Sequence, residues 1–171
     1  MTMKQAIKLR PEEKKIIDIG PGRYPKKDAN IFVDIDYKLI KHLKNPVVWD
    51  LNKIPYPFEE DSIDKIYLAS VLEHLQAPTA DVLKELWRIL KFGGVVVLTL
   101  PNTYFIVKRI QFLLGIMHNN FRPQHKKYVN YSFIRHTVKE AGFWIESEPH
   151  KYLPFKNLLL PRIEMVIKKE V

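Results

Sequence analysis

Three apolar runs in this chain each end in an acidic residue. Ile16-Ile17-Asp18-Ile19 leads into Gly20-Pro21-Gly22, Ile31-Phe32-Val33 ends at Asp34-Ile35-Asp36, and Val47-Val48-Trp49 ends at Asp50-Leu51. Carboxylates accept hydrogen bonds from hydroxyls and pair with amines. Glycines let the backbone come close to a ligand. Parallel strands that end this way bring such groups to one sheet edge, where open α/β sheets bind their ligands. The pattern asks for a ligand with both an amine and hydroxyls.

Other nucleotide-binding patterns fit less well. A phosphate-binding Walker loop needs Gly-Lys-Ser/Thr, which is absent. A dinucleotide fingerprint needs a third glycine where Pro25 stands. The histidines at 42, 74, 118, 125, 136 and 150 lack the close spacing of zinc ligands, and there is no cysteine to form a thiolate site or a disulfide. Histidine remains a candidate general base. His74 follows Glu73 at the start of the helix expected after the apolar run Ile63–Ala69, and His125 sits in the basic stretch Arg122-Pro-Gln-His-Lys-Lys127. His118 is a weaker third. Asn102, after Leu100-Pro101, can orient an acceptor or bond its own turn.

The elements that must position these groups alternate. Strands are predicted at Lys15–Ile19, Ile31–Val33, Val47–Trp49, Ile63–Ala69 and Val95–Leu100. Helices are predicted at Asp36–Leu43 and at Thr79–Leu90, where Val82, Leu83, Leu86, Trp87 and Leu90 share a face. Thr79 or Asp81 would cap the second helix, and Gly93-Gly94 would stop it. Ser132–Ala141 reads as a last helix, ahead of an antiparallel pair at Phe143–Ser147 and Ile163–Lys169. Alternating strands and helices imply a mostly parallel sheet in an α/β domain. Residues 23–30 leave no room for a full first crossover helix.

With 171 residues, 46% of them hydrophobic, the chain suits one domain spanning 1–171. Residues 1–14 would be an N-terminal extension, of which Lys4–Lys14 would pack at the methionine end where the first helix is missing. Met1 to Lys15 is too polar for a secretory leader, and no apolar run reaches the ~18 residues of a membrane span, so a cytoplasmic protein is expected. The net charge of +9 is lopsided, because residues 103–171 hold 12 Lys/Arg against 5 Asp/Glu. That imbalance suits an anionic partner. Tyr104–Met117 is apolar nearly all round, and with the basic loop behind it residues 103–130 are expected to form the lid or acceptor region. An anionic small molecule or glycan, RNA, or peripheral contact with a membrane face all suit it.

Three segments together resemble the class I S-adenosylmethionine-dependent methyltransferases, in the small group called type 11. They are Asp18-Ile-Gly-Pro-Gly22 through Val33-Asp34-Ile35, Asp50-Leu-Asn-Lys-Ile-Pro-Tyr-Pro-Phe58 through Ser70-Val-Leu-Glu-His-Leu75, and Glu85-Leu-Trp-Arg-Ile-Leu-Lys-Phe-Gly-Gly94. The resemblance spans roughly residues 15–145. It implies a Rossmann-like sheet of seven strands, the last antiparallel, with helices on both faces and S-adenosylmethionine across the carboxyl ends of the first strands. It further implies Asp18, Gly20 and Gly22 on the methionine side, Asp34 with Ile35 at the ribose, Asp50 and Leu51 beside adenine, and Ser70 nearby. Tyr24 stands where the family has its third glycine. The Asn-Pro-Pro-Tyr pattern of nucleobase amino methylation is replaced by Tyr67-Leu-Ala-Ser70. The expected activity is methyl transfer to a hydroxyl-bearing small molecule or glycan, with His74 or His125 as base. RNA methylation and a binding module without turnover are the alternatives.

Overall fold

The computed structural model describes residues 12–102, 105–115, 126–127, 129–148 and 162–170. The strands are β1 (Ile16–Ile19), β2 (Ile31–Asp34), β3 (Pro46–Val48), β4 (Ile63–Ala69), β5 (Leu90–Pro101), β6 (Phe143–Ser147) and β7 (Arg162–Lys169). They form one sheet in the order β3-β2-β1-β4-β5-β7-β6. The first five strands pair in parallel, and β7 runs antiparallel to both β5 and β6. This is the expected Rossmann-like sheet. The order in which strands are added reverses between β1 and β4, so the carboxyl ends of those two strands flank the switch point.

The helices are α1 (Tyr37–Ile40), α2 (Thr79–Ile89), α3 (Ile106–Leu113) and α4 (Tyr131–Glu140), with one 3-10 turn at Leu72–His74. The apolar stripe of α2 (Val82, Leu83, Leu86, Ile89) joins Ile134 and Val138 of α4 over the main core. Beneath them lie Ile17, Ile19, Ile31, Val33, Ile66, Leu68, Val96, Leu98 and Ile167. The opposite face is thinner. There Ala29, Phe32 and Ile40 of α1 form a small second cluster.

Three local expectations are corrected. Neither Thr79 nor Asp81 caps α2; Pro78 holds the cap position without a side-chain bond, and Thr79 is buried. Gly93-Gly94 does not stop α2, because Leu90 is already extended and the two glycines lie within β5 beside a register shift against β4. A β-carbon at Gly94 would lie 2.8 Å from the Lys91 carbonyl oxygen, so packing of the bulge, not a helix end, requires glycine. His74 sits on a single 3-10 turn and not on the helix that follows.

The β1–β2 crossover carries no helix, and side chains hold it in place. Asp18 points to the thin face, where it is 2% exposed, and its Oδ2 accepts the Lys26 N–H at 2.7 Å. Asp28 accepts from the Tyr67 hydroxyl at 2.8 Å and from Lys65 Nζ at 3.1 Å. Asn30 accepts the Ile16 N–H at 2.9 Å and donates to the Lys14 carbonyl at 2.7 Å. Burial pushes the Asp18 carboxyl above its usual range, against the opposing pull of the Lys26 N–H. The acceptor atom therefore matters more than the charge. Asp18→Ala should cost about 1.5–3 kcal/mol in urea unfolding, and Asp18→Asn clearly less. Equal losses from both would show that the charge, not the acceptor, holds the crossover.

Candidate functional site

The carboxyl edge of the sheet is assembled from loops that lock one another. Gly20 follows β1 with φ +63°, and a β-carbon there would meet Val71 Cγ2 at 2.7 Å. The end of β1 and the turn after β4 thus touch across the switch point, and only glycine fits both the space and the backbone. Gly22 also has positive φ, +55°, but a β-carbon there would meet nothing within 4 Å. Its backbone faces open space, as a close approach to a ligand requires.

Asp34 ends β2, and its Oδ1 accepts the Asp36 N–H at 2.9 Å. That bond fixes the carboxylate at the strand end and leaves it further acceptor capacity. Ile35 beside it is 67% exposed, an apolar surface at the edge. Beyond β3, Asp50 Oδ1 accepts from the backbone and side-chain nitrogens of Asn52 at 3.0 and 2.9 Å. These bonds hold the Asp50 carboxyl below its usual range. Leu51 packs partly on the main core, and its carbonyl accepts the Tyr56 hydroxyl at 3.2 Å.

Asn52 extends this wall. Its Oδ1 accepts the N–H groups of Gln76 at 2.7 Å and Ala77 at 3.1 Å, which ties the loop after β3 to the loop after β4. Glu85 and Arg88 of α2 clamp the same loop from below. Glu85 Oε1 accepts the Tyr56 N–H and an Arg88 guanidinium N–H, each at 2.6 Å, and Arg88 reaches the carbonyls of Tyr56 and Phe58. Ser70 ends β4 in the left-handed region (φ +55°), exposed at the edge, with its N–H donating to the Thr99 carbonyl at 2.8 Å. His74 is half-buried on the next turn, and its N–H donates to the Val71 carbonyl. The Glu73 carbonyl accepts the N–H groups of Lys126 at 2.7 Å and Lys127 at 3.2 Å. Lys127 Nζ also bonds the Ala77 carbonyl, so the basic segment is fastened to the edge.

Residues 19–98 match the family model described as a methyltransferase domain. Over that stretch the chain is similar to methyltransferase domains, and its sheet has the Rossmann-like fold of S-adenosylmethionine-dependent methyltransferases. Solved structures with the same fold include an S-adenosylmethionine-dependent methyltransferase from Archaeoglobus fulgidus, 19% identical, covering 91% of this chain and 86% of its own, TM-score 0.66. A Thermotoga maritima protein described as a possible histamine N-methyltransferase is 16% identical, with 92% and 83% covered and a TM-score of 0.69. A Methanosarcina mazei methyltransferase is 16% identical, with 94% of each chain covered and a TM-score of 0.66. No curated protein sequence matches the chain.

The carboxyl edge gathers Gly20, Gly22, Asp34, Ile35, Asp50, Leu51, Ser70 and His74. Asp18 lies just below it, with one carboxylate oxygen committed to Lys26. His125, His118 and most of 103–130 lie outside the described residues. Among the described residues no group of His, Asp or Glu is placed to hold a metal ion.

Sequence reasoning treated Glu73 only as the neighbour of His74. Its carboxyl group is 2% exposed, it bonds Ser70, and its Oε2 is buried without a partner. The motif Val-Leu-Glu-His-Leu was the available signal, but an acid on a polar turn gives no hint of burial. Desolvation pushes the Glu73 carboxyl above its usual range. A raised folded-state pKa means that stability present at acid pH is lost as pH rises through that raised value. Glu73→Gln escapes this loss. Its thermal stability relative to wild type should therefore improve as the pH is raised from the ordinary carboxylate range to neutrality. A stability gap that stays constant across that range would show that Glu73 does not titrate there.

Proposed function

We propose that the chain transfers a methyl group from S-adenosylmethionine to a hydroxyl of a small molecule or glycan, with Asp34 holding the ribose and His74 taking the acceptor's proton. The observation that carries this reading is the row of groups at the carboxyl edge, where Gly22 opens onto free space and Asp34 and Asp50 are each fixed by a local turn. Bound S-adenosylmethionine supplies a methyl group already activated by a positively charged sulfur. The protein's main work is then alignment and exclusion of water.

Each residue has a task that follows from its chemistry. Asp34 has acceptor capacity for both hydroxyls of a ribose. Asp50 suits the adenine amino group, and Ile35 and Leu51 give the ring apolar surface. Asp18 acts from beneath by holding the Gly20–Lys26 loop against the methionine end. Ser70 lies exposed at the edge, with its N–H donating to the Thr99 carbonyl and its side chain bonded to Glu73. His74, on the turn beside Ser70, is a side chain able to accept a proton from a hydroxyl acceptor. The fastened Lys126 and Lys127 favour an acceptor that carries negative charge. RNA is the second reading, supported by the +7 balance of residues 103–171; steeply salt-dependent RNA binding would favour it. A module without turnover would bind a partner yet fail to methylate it.

Two substitutions test the assignment. Asp34→Ala should weaken S-adenosylmethionine binding by about 1–3 kcal/mol in titration calorimetry while the protein stays folded. Unchanged affinity would remove Asp34 from the ribose site. With an acceptor in hand, His74→Ala should lower turnover about 100-fold or more and leave cofactor affinity nearly unchanged. Undiminished turnover would rule His74 out as the base.

A further inference from the structure

Helix α3 follows β5, whose end lies at the carboxyl edge, with residues 102–105 between them. It exposes an unusual amount of apolar side chain. Val107 is 44% exposed, Ile110 47%, Leu113 82% and Leu114 65%. Spacings of three and four residues put all four on one side of the helix, and the Leu114 N–H continues the ladder to the Ile110 carbonyl at 3.0 Å. A stripe of this kind on a folded chain is an interaction surface.

The charge of the sequence that carries the stripe indicates what covers it. No Asp or Glu occurs between Glu85 and Glu140, whereas Lys108, Arg109, Arg122, Lys126 and Lys127 fall in the segment from α3 to the fastened loop. An apolar partner surface alone would gain nothing from five cations and no acids. A phospholipid bilayer rich in anionic headgroups satisfies both features, since its acyl boundary takes the leucines and its surface potential attracts the lysines and arginines. Among the described residues no helix is long and apolar enough to cross a membrane, so the contact is one of lying on the surface.

We propose that α3 is an interfacial helix that seats the chain on an anionic membrane through Val107, Ile110, Leu113 and Leu114, with the carboxyl edge of the sheet next to the lipid. This goes beyond the methyl-transfer assignment and stands whether or not that assignment holds. Entry of apolar side chains into lipid supplies the anchoring, and the basic residues set the preference for negative surfaces.

The test is co-sedimentation of the full chain with vesicles of phosphatidylcholine alone or mixed equally with phosphatidylglycerol. Binding should strongly favour the mixed vesicles and weaken as salt rises. Leu113→Ser and Leu114→Ser should each reduce it about tenfold. Both side chains are exposed, so circular dichroism should show an intact fold. The pair Lys108→Glu and Arg109→Glu should abolish the preference for phosphatidylglycerol. The proposal is overturned if wild type ignores both vesicle types, if the serine variants bind as wild type does, or if a dimer that buries the stripe forms in sedimentation velocity. Binding of RNA with no binding of vesicles would likewise assign the basic segment to a different partner.

Discussion

A buried hydrogen bond from the Lys26 N–H to Asp18 stands where most proteins of this architecture would have a helix. Residues 20–30 must carry the chain from the end of β1 back to the start of β2, and they are too few to do so with a helix packed on the sheet. A loop in that place buries little apolar surface and leaves backbone groups that need partners. Asp18, Asp28 and Asn30 supply them, reaching Lys26, Tyr67, Lys65, Ile16 and Lys14. The thin face of the sheet is accordingly polar where a helix would have made it apolar. Gly20 and Gly22 keep their positions at the carboxyl edge because this polar frame stands in for the missing helix.

The same economy organises the rest of the edge. The connection after β3 carries no helix either, and single side chains hold it: Asn52 ties it to the loop after β4, and Glu85 with Arg88 clamps it from below. These bonds reach backbone groups, which no change of neighbouring side chain removes. A site built this way is pre-ordered before a ligand arrives, and pre-ordering is the main contribution a protein makes to a reaction whose donor is already activated. At the far end of the sheet a similar solution appears. Lys169 is buried, yet its ammonium bonds Asp61 and the Trp87 carbonyl and lies 3.8 Å over the Trp87 ring. Charge is tolerated there because every side of it is matched.

Much of this was legible in the residues. The apolar runs placed all seven strands within a few residues, since buried strands need continuous or alternating apolar side chains whatever their partners. The acids at 34 and 50 marked strand ends, where a carboxylate meets solvent, whereas Asp18 lies within β1 and is buried with the Lys26 N–H as its partner. The absence of a first crossover helix followed from the length of the segment and from Pro25. Other features were hidden for a physical reason. Gly93-Gly94 has the composition of a helix stop, but Gly94 packs against the Asp64 carbonyl of the neighbouring strand as well as against Leu90 and Lys91, and the first of these is remote from it in any local pattern. Thr79 has the chemistry of a cap, yet the turn before it buries the side chain. The burial of Glu73 and the clamp made by Glu85 and Arg88 depend on long-range contacts that periodicity does not encode.

The central claim is that this abbreviated, loop-bound edge still forms a complete S-adenosylmethionine site. Titration calorimetry of the wild-type chain with S-adenosylmethionine and S-adenosylhomocysteine tests it most directly. The structure predicts one site per chain with a dissociation constant on the order of micromolar for both. Absence of binding in a chain that unfolds cooperatively would show that the polar frame preserves the fold without the site.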